Sequence, residues 1–153
     1  MTMSNDQVND KLQYLLGTLR DGEKGFNEAA EHAKDASLKQ LLRARSSQRA
    51  EMASAIETHL MQGGEKPKSG GSVGAALHRT WINVRDAVTG KDDSSVVAET
   101  VRGEDAAVKN YQDVLKETDL PGDVRSLVES QYAQIQSSDA ELNALKRQHE
   151  AKS

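Results

Sequence analysis

The sequence predicts an all-α protein built as a four-helix bundle, and three observations favour this fold. Aromatic residues make up only 3% of the 153 residues and charged residues 29%, a balance more typical of helices packed by alanine and leucine than of a β-sheet. Four long stretches carry apolar residues at the three- and four-residue spacing of amphipathic helices. Glycine, proline and capping residues separate these stretches. The length suits a single domain over residues 1–153.

The first two helices are predicted to form an antiparallel hairpin. Capping residues from Ser4 to Asp6 favour the start of the first helix, which we expect to reach about Lys34. The sequence Ser37-Leu-Lys-Gln40 resembles a capping box for the second helix, and Gly63-Gly64 ends that helix. The short connection near residue 35 makes the two helices neighbours.

The stretch after the first hairpin contains a predicted flexible connection and a short helix. Glycine and proline favour a flexible connection at about 63–72, and a shorter amphipathic pattern follows at about 73–89. His78, Arg79 and Trp81 combine an imidazole, a cation and the single tryptophan in this pattern, as a candidate surface for binding. We favour the simpler interpretation, in which Trp81 anchors the short helix to the bundle while His78 and Arg79 line its solvent-exposed edge.

The third and fourth helices are predicted to form a second antiparallel hairpin. Asp93 to Ser95 offer caps for a third helix that continues to about Glu117. The sequence Asp119-Leu-Pro121 opens the fourth helix, because proline suits the first turn of a helix. We expect a tail at about 148–153.

Two glutamates interrupt the apolar stripes of the predicted helices. Glu23 in the first helix and Glu104 in the third each follow a glycine, at comparable places in the first helix of each hairpin. Burying an isolated charge is costly, so such residues are usually exposed, paired in a polar network or bound to a metal. These two carboxylates are therefore the main candidates for a functional site.

Hairpin geometry predicts the neighbours of Glu23. Residues that lie level across the first hairpin have numbers that sum to about 71, which places Glu23 opposite the stretch 45–51 of the second helix. Arg45 and Arg49 lie in this stretch. We therefore expect Glu23 to pair with Arg45 or Arg49.

The same geometry predicts the neighbours of Glu104. A hairpin centred on residue 119 places Glu104 level with Gln134, and within reach of Gln131 and Ser138. We expect Glu104 to hydrogen-bond to Gln131, Gln134 or Tyr132. The candidate polar core is then made of seven side chains: Glu23, Arg45, Gln48, Arg49, Glu104, Gln131 and Gln134.

This layout resembles the ferritin-like four-helix bundle, in which two helices each provide a glutamate and the other two each provide Glu-x-x-His to a pair of iron or manganese ions. More specifically, residues 21–26 (Asp-Gly-Glu-Lys-Gly-Phe), 78–81 (His-Arg-Thr-Trp) and 103–111 (Gly-Glu-Asp-Ala-Ala-Val-Lys-Asn-Tyr) resemble a bacterial ferritin-like four-helix-bundle family of unknown function. The resemblance implies a ferritin-like arrangement, with the short helix on the long crossover between helices two and three. It also implies a bacterial stress or stationary-phase setting.

Only half of the ferritin ligand pattern is present. Glu23 and Glu104 can stand for the single glutamates, but the second helix offers Gln48-Arg-Ala-Glu51 and the fourth offers Gln131-Tyr-Ala-Gln134 where Glu-x-x-His is needed. Two or three carboxylates with glutamines and arginines nearby would bind two cations weakly. We therefore expect no cofactor. The alternative is an iron or manganese site made of Glu23, Glu51 and Glu104.

Composition and motifs exclude several classes of protein. Cysteine is absent, which removes disulfides, thiolate metal sites and cysteine nucleophiles. The net charge of −4, with basic and acidic residues interleaved, predicts no nucleic-acid partner. The sequence has no apolar run of membrane-spanning length and no basic, apolar leader, so we expect a cytoplasmic protein without a membrane partner.

These observations favour a non-catalytic bundle that acts by self-association or by binding a protein partner. No nucleophile elbow and no phosphate-binding loop motif occurs in the sequence. The alternative is a di-metal carboxylate protein with oxidoreductase or metal-storage activity, since ferritin-like bundles carry such centres.

Overall fold

A computed structural model describes residues 3–68 and 92–152 of the chain. Within these two ranges the chain forms α-helices and no strand. The helices are α1 (Asn5–His32), α2 (Ala36–Gln62), α3 (Asp93–Leu115) and α4 (Gly122–Lys152). The all-α prediction is confirmed for this part of the chain. The predicted short helix at about 73–89 and the end of the predicted flexible connection lie outside the described residues.

Capping side chains explain where α1 and α2 begin. The Ser4 hydroxyl accepts a hydrogen bond from the backbone N–H of Gln7, and the Gln7 side-chain oxygen accepts one from the backbone N–H of Ser4. α1 therefore begins with a capping box. Asp35 caps α2 by accepting from the Leu38 amide at 3.0 Å. The capping box predicted at Ser37 is therefore wrong, because Asp35 already provides the acceptor from an extended backbone position.

The remaining helix ends follow the same local rules. α2 ends at Gln62, and Gly64 then adopts a φ of 80°, a left-handed conformation that glycine allows after a helix. Asp92, one residue before the predicted caps, accepts from the Ser95 amide and begins α3. α4 begins directly after Pro121 and continues to Lys152, through the residues for which we expected a tail.

Side-chain contacts show that each hairpin is antiparallel. In the first hairpin the α1 residues Arg20 and Glu23 contact Glu57 and Ser46 of α2, so residue numbers fall along one helix as they rise along the other. In the second hairpin, Glu104 and Ser94 of α3 contact Ser138 and His149 of α4 in the same sense.

The two hairpins pack with α1 antiparallel to α3. Lys11 pairs with Glu117 at one end of these helices, and the carboxylate of Asp93 accepts from the backbone amide of Lys34 at the other end. α2 and α3 therefore run in the same direction, and α2 ends at the opposite end of the bundle from the start of α3. No helix in the described part of the chain is both long and apolar enough to cross a membrane.

The chain after α2 turns back alongside α1. The Gln13 side chain donates to the Lys66 carbonyl and accepts from the Lys68 amide, both at 2.9 Å. Asn9, one turn earlier in α1, donates to Glu65. Residues 65–68 therefore run in the direction of α1, toward the end of the bundle where α3 begins.

The apolar core is divided into two clusters. The Leu12 cluster consists of Val8, Leu12, Leu15, Leu16, Leu19, Met52, Ala53, Ile56, Leu60, Ala107, Tyr111, Val114, Leu120, Val124, Val128 and Ile135. The Phe26 cluster consists of Phe26, Ala29, Ala30, Ala33, Leu38, Leu42, Val96, Val97, Val101 and Leu142. In each helix one position falls between the clusters and faces the bundle centre, namely Gly22, Arg49, Glu104 and Ser138.

A buried ion pair as the candidate functional site

Arg49 of α2 and Glu104 of α3 form an ion pair between the two apolar clusters. The Arg49 Nη2 atom donates to Glu104 Oε2 at 2.5 Å, and both side chains are 1% exposed. The Ser138 hydroxyl of α4 donates to the same carboxylate oxygen at 2.5 Å. Hydrogen bonds to a charged group are stronger than those between neutral groups. The carboxylate of Glu104 therefore joins α2, α3 and α4 firmly at one point.

The first helix contributes an aromatic ring and a stretch of backbone to the same site. The Arg49 guanidinium carbon lies 5.4 Å from the centre of the Phe26 ring, within the range of a cation–π interaction. A Cβ atom added at Gly22 would lie 3.5 Å from Arg49 Cγ. The arginine stem therefore packs closely against the backbone of α1 at Gly22.

Burial is the largest electrostatic effect on both members of the pair. Loss of solvation lowers the pKa of Arg49 and raises the pKa of Glu104, because burial penalises the charged form of each. Their mutual attraction acts in the opposite direction, and Ser138 and Arg45 also favour the ionised form of Glu104. Each charge therefore depends on the other, and removing one would leave an uncompensated charge in the core.

A second polar contact lies within the Leu12 cluster. The Tyr111 hydroxyl donates to Gln131 Oε1 at 2.7 Å, and the Gln131 amide donates to the Met52 carbonyl at 3.1 Å. Burial raises the pKa of Tyr111, so its hydroxyl keeps the proton that it donates. Gln131 is therefore a satisfied core residue that joins α2, α3 and α4.

The predicted hydrogen bond from Glu104 to Gln131, Gln134 or Tyr132 is wrong. Ser138 takes that place, because the pairs that lie level across α3 and α4 correspond to a hairpin centre about two residues later than residue 119. Sequence reasoning placed Ser138 within reach of Glu104 but did not choose it. The signal was available, since Ser138 falls on the apolar stripe of the fourth helix.

The predicted pairing of Glu23 with Arg45 or Arg49 is also wrong. Glu23 is 35% exposed and accepts from Arg20 of its own helix at 2.8 Å, and Arg20 also donates to Glu57 of α2. Gly22, and not Glu23, faces Arg49. Successive residues of an α-helix point about 100° apart, so Glu23 lies to one side of the position that contacts Arg49.

Three further predicted residues join α2 to α4 beside the ion pair. Arg45 forms an ion pair with Glu141, whose side chain is exposed. The Gln48 amide donates to Gln134 Oε1 at 3.4 Å. Arg45, Gln48 and Gln134 therefore lie at the rim of the site, where they connect α2 to α4.

The structure does not bring together the three carboxylates of the alternative metal site. Glu104 is buried, Glu23 is half-buried at Arg20, and Glu51 is exposed on α2. Within residues 3–68 and 92–152, no three His, Cys, Asp or Glu side chains are grouped in a way that could hold a metal ion. The candidate surface made of His78, Arg79 and Trp81 lies outside the described residues.

The model of a family described as Domain of unknown function (DUF2383) matches residues 7–117. This range includes both members of the ion pair and ends before Ser138. No curated protein matches the chain.

Proposed function

The chain belongs to the DUF2383 family, and we propose that it is a non-catalytic helical-bundle protein that acts by self-association or by binding another protein. In this proposal the contact of Arg49, Glu104 and Ser138 is a structural element that fixes the register of three helices. The observation that carries the proposal is the guanidinium of Arg49, which fills the space beside Glu104 where a metal ion would lie.

A metal ion at Glu104 would have to displace Arg49. The guanidinium would then lose its carboxylate partner while its stem stays packed against Gly22 and the Phe26 ring. Burying an arginine without its partner costs about 3–5 kcal/mol, a penalty that a single carboxylate ligand would not offset. This balance of charges favours a structural role for Glu104.

The proposal includes a ferritin-like arrangement of the helices. The support comes from helix direction, because α2 and α3 run parallel and such a pair requires a long crossover connection. Residues 65–68, which start back along α1, agree with such a connection. The bacterial stress setting stays a prediction, since it depends on the sequence resemblance alone.

Elemental analysis tests the structural role against the metal-binding alternative. We expect protein purified without chelator to hold far less than one iron or manganese ion per chain. The variants Glu104→Gln and Glu23→Gln should show the same low content as the wild type. A content of about two ions per chain that Glu104→Gln removes would overturn the proposal.

Measurement of native mass tests self-association. Among the described residues, Met61 is the one large hydrophobic side chain that is exposed, at 58%. Contacts between copies through the described residues would therefore be mostly polar, and contacts between exposed charges weaken with salt. We expect an oligomer at roughly 0.05 M salt that shifts toward monomer at roughly 1 M salt. A monomeric mass at both salt concentrations and at high protein concentration contradicts self-association.

A further inference from the structure

Two carboxyl groups face each other across α3 and α4, directly beside the buried ion pair. Asp105 follows Glu104 in α3, and Asp139 follows Ser138 in α4. The carboxyls of Asp105 and Asp139 lie within hydrogen-bonding distance of each other. Asn143, one turn further along α4, donates to Asp105 Oδ1 at 3.4 Å and to the Asp139 carbonyl at 2.9 Å. The amide of Asn143 therefore helps to hold Asp105 against α4.

The surroundings of this carboxyl pair are acidic. Asp139 Oδ1 is buried and has no hydrogen-bond donor among the described residues. In the described part of the chain, the ionisable groups that act on Asp139 are Asp105 and Glu104, both from α3. Arg49 and Arg45 of α2 act on the neighbouring Glu104, and each has a carboxylate partner, since Arg49 binds Glu104 and Arg45 binds Glu141. A negative charge on Asp139 would be repelled by Asp105 and Glu104, and among the residues that the structure describes no cation acts on it.

We propose that the contact between Asp105 and Asp139 is a latch, which holds α3 against α4 while Asp139 is protonated and loosens when Asp139 loses its proton. The latch lies one residue from the Ser138 to Glu104 hydrogen bond in each helix. Repulsion between Asp105, Asp139 and Glu104 would therefore act at the point where α4 reaches the buried ion pair. This device is independent of any association with other chains.

Protonation energetics agree with the geometry. Burial is the largest cause, followed by the contact with Asp105 and by the charges of Asp105 and Glu104, and together they raise the pKa of Asp139 to about 7. An aspartate in an unfolded chain has a pKa near 3.9, so the folded form holds the proton more tightly. The stabilisation is therefore fully present below about pH 4 and is lost as the pH rises through about 7.

Thermal unfolding as a function of pH tests the latch. We expect the Tm of the wild type to fall between about pH 5 and pH 8. Asp139→Asn keeps an amide that can donate to Asp105 but cannot ionise, so its Tm should change less over this range. At about pH 8 this variant should exceed the wild type by about 3 °C or more, which is a measurable shift for a domain of this size.

Three further measurements make the test decisive. Asp113→Asn removes an exposed carboxylate from α3, the helix that also carries Asp105. The Tm of this control variant should depend on pH as the Tm of the wild type does. Asp105→Asn removes the other half of the latch and should flatten the dependence as Asp139→Asn does, which keeps the test valid if one variant does not fold. Amide hydrogen exchange near residues 138–142 should be faster in the wild type than in Asp139→Asn at about pH 8 and equal at about pH 5. The proposal is overturned if the wild type and both variants show the same slope of Tm against pH.

Discussion

The dipeptides Gly22-Glu23 and Gly103-Glu104 lie at comparable places in α1 and α3 but in different environments. Glu23 is partly exposed and pairs with Arg20, which lies on the same helix. Glu104 is buried and binds an arginine of α2 and a serine of α4. The position of α1 that faces the bundle centre is taken by Gly22, whereas the corresponding position of α3 is taken by the glutamate itself.

The difference shows that charge balance and helix rotation, and not the dipeptide, decide where a glutamate lies. Among the described residues, Arg49 is the one arginine that is buried, so the centre of the bundle can neutralise one carboxylate. A second buried glutamate there would remain unpaired, which is costly in a low-dielectric interior. In α1 the backbone at Gly22 packs against the arginine stem, and the neighbouring Glu23 is partly exposed to solvent.

The largest effect on stability is expected when the two arginines that bind these glutamates are replaced. Arg49→Met leaves Glu104 buried without its cation, and we expect a loss of about 3–5 kcal/mol in the free energy of unfolding. The matched variant Arg20→Met breaks a partly exposed contact and should cost about 1 kcal/mol or less. Urea denaturation at neutral pH measures both values. Similar losses for the two variants would contradict the contrast between the sites.

The double variant Arg49→Met/Glu104→Leu sharpens this prediction. It removes both charges together, so the unfolding free energy should recover most of the loss that Arg49→Met causes alone. Failure to recover would mean that packing of the arginine stem, and not the uncompensated carboxylate, caused the loss.

An intermediate effect is expected for the serine that binds Glu104. Ser138→Ala removes a hydrogen bond to a buried carboxylate, and we expect a loss of about 1–3 kcal/mol. Ser137→Ala changes an exposed serine one residue away in the same helix and should stay within about 0.5 kcal/mol of the wild type. Thermal and urea unfolding of this pair separate the contact with Glu104 from any general effect of alanine in α4.

The smallest expected effect concerns Gly22, which precedes Glu23 in α1. A methyl group at Gly22 would lie 3.5 Å from Arg49 Cγ, an ordinary van der Waals distance. Gly22→Ala should therefore be accommodated, and the better helix propensity of alanine should add up to about 1 kcal/mol of stability. A clear loss of stability in urea unfolding would instead show that the close packing of Arg49 requires glycine at this position.

Sequence reasoning predicted the helices more fully than the site. The start of α1 at Ser4 and the end of α2 before Gly63 are confirmed, because capping depends on residues a few positions apart. The predicted register of the first hairpin was also close to correct, since Gly22 lies beside Arg49. The predicted partners of both glutamates were wrong. The height of a residue along a hairpin does not specify which side of its helix faces the core.

The amino-acid sequence by itself determined the all-α class, the four helices and most of their ends. These features depend on hydrogen bonds and apolar spacing within single segments of the chain, so they can be recognised locally. Only the tertiary structure decided that Arg49 binds Glu104 and Ser138 while Glu23 remains with Arg20, and that Asp105 meets Asp139. Those contacts depend on the rotation and relative height of helices that are far apart in sequence, and the packing of all four helices sets both at once.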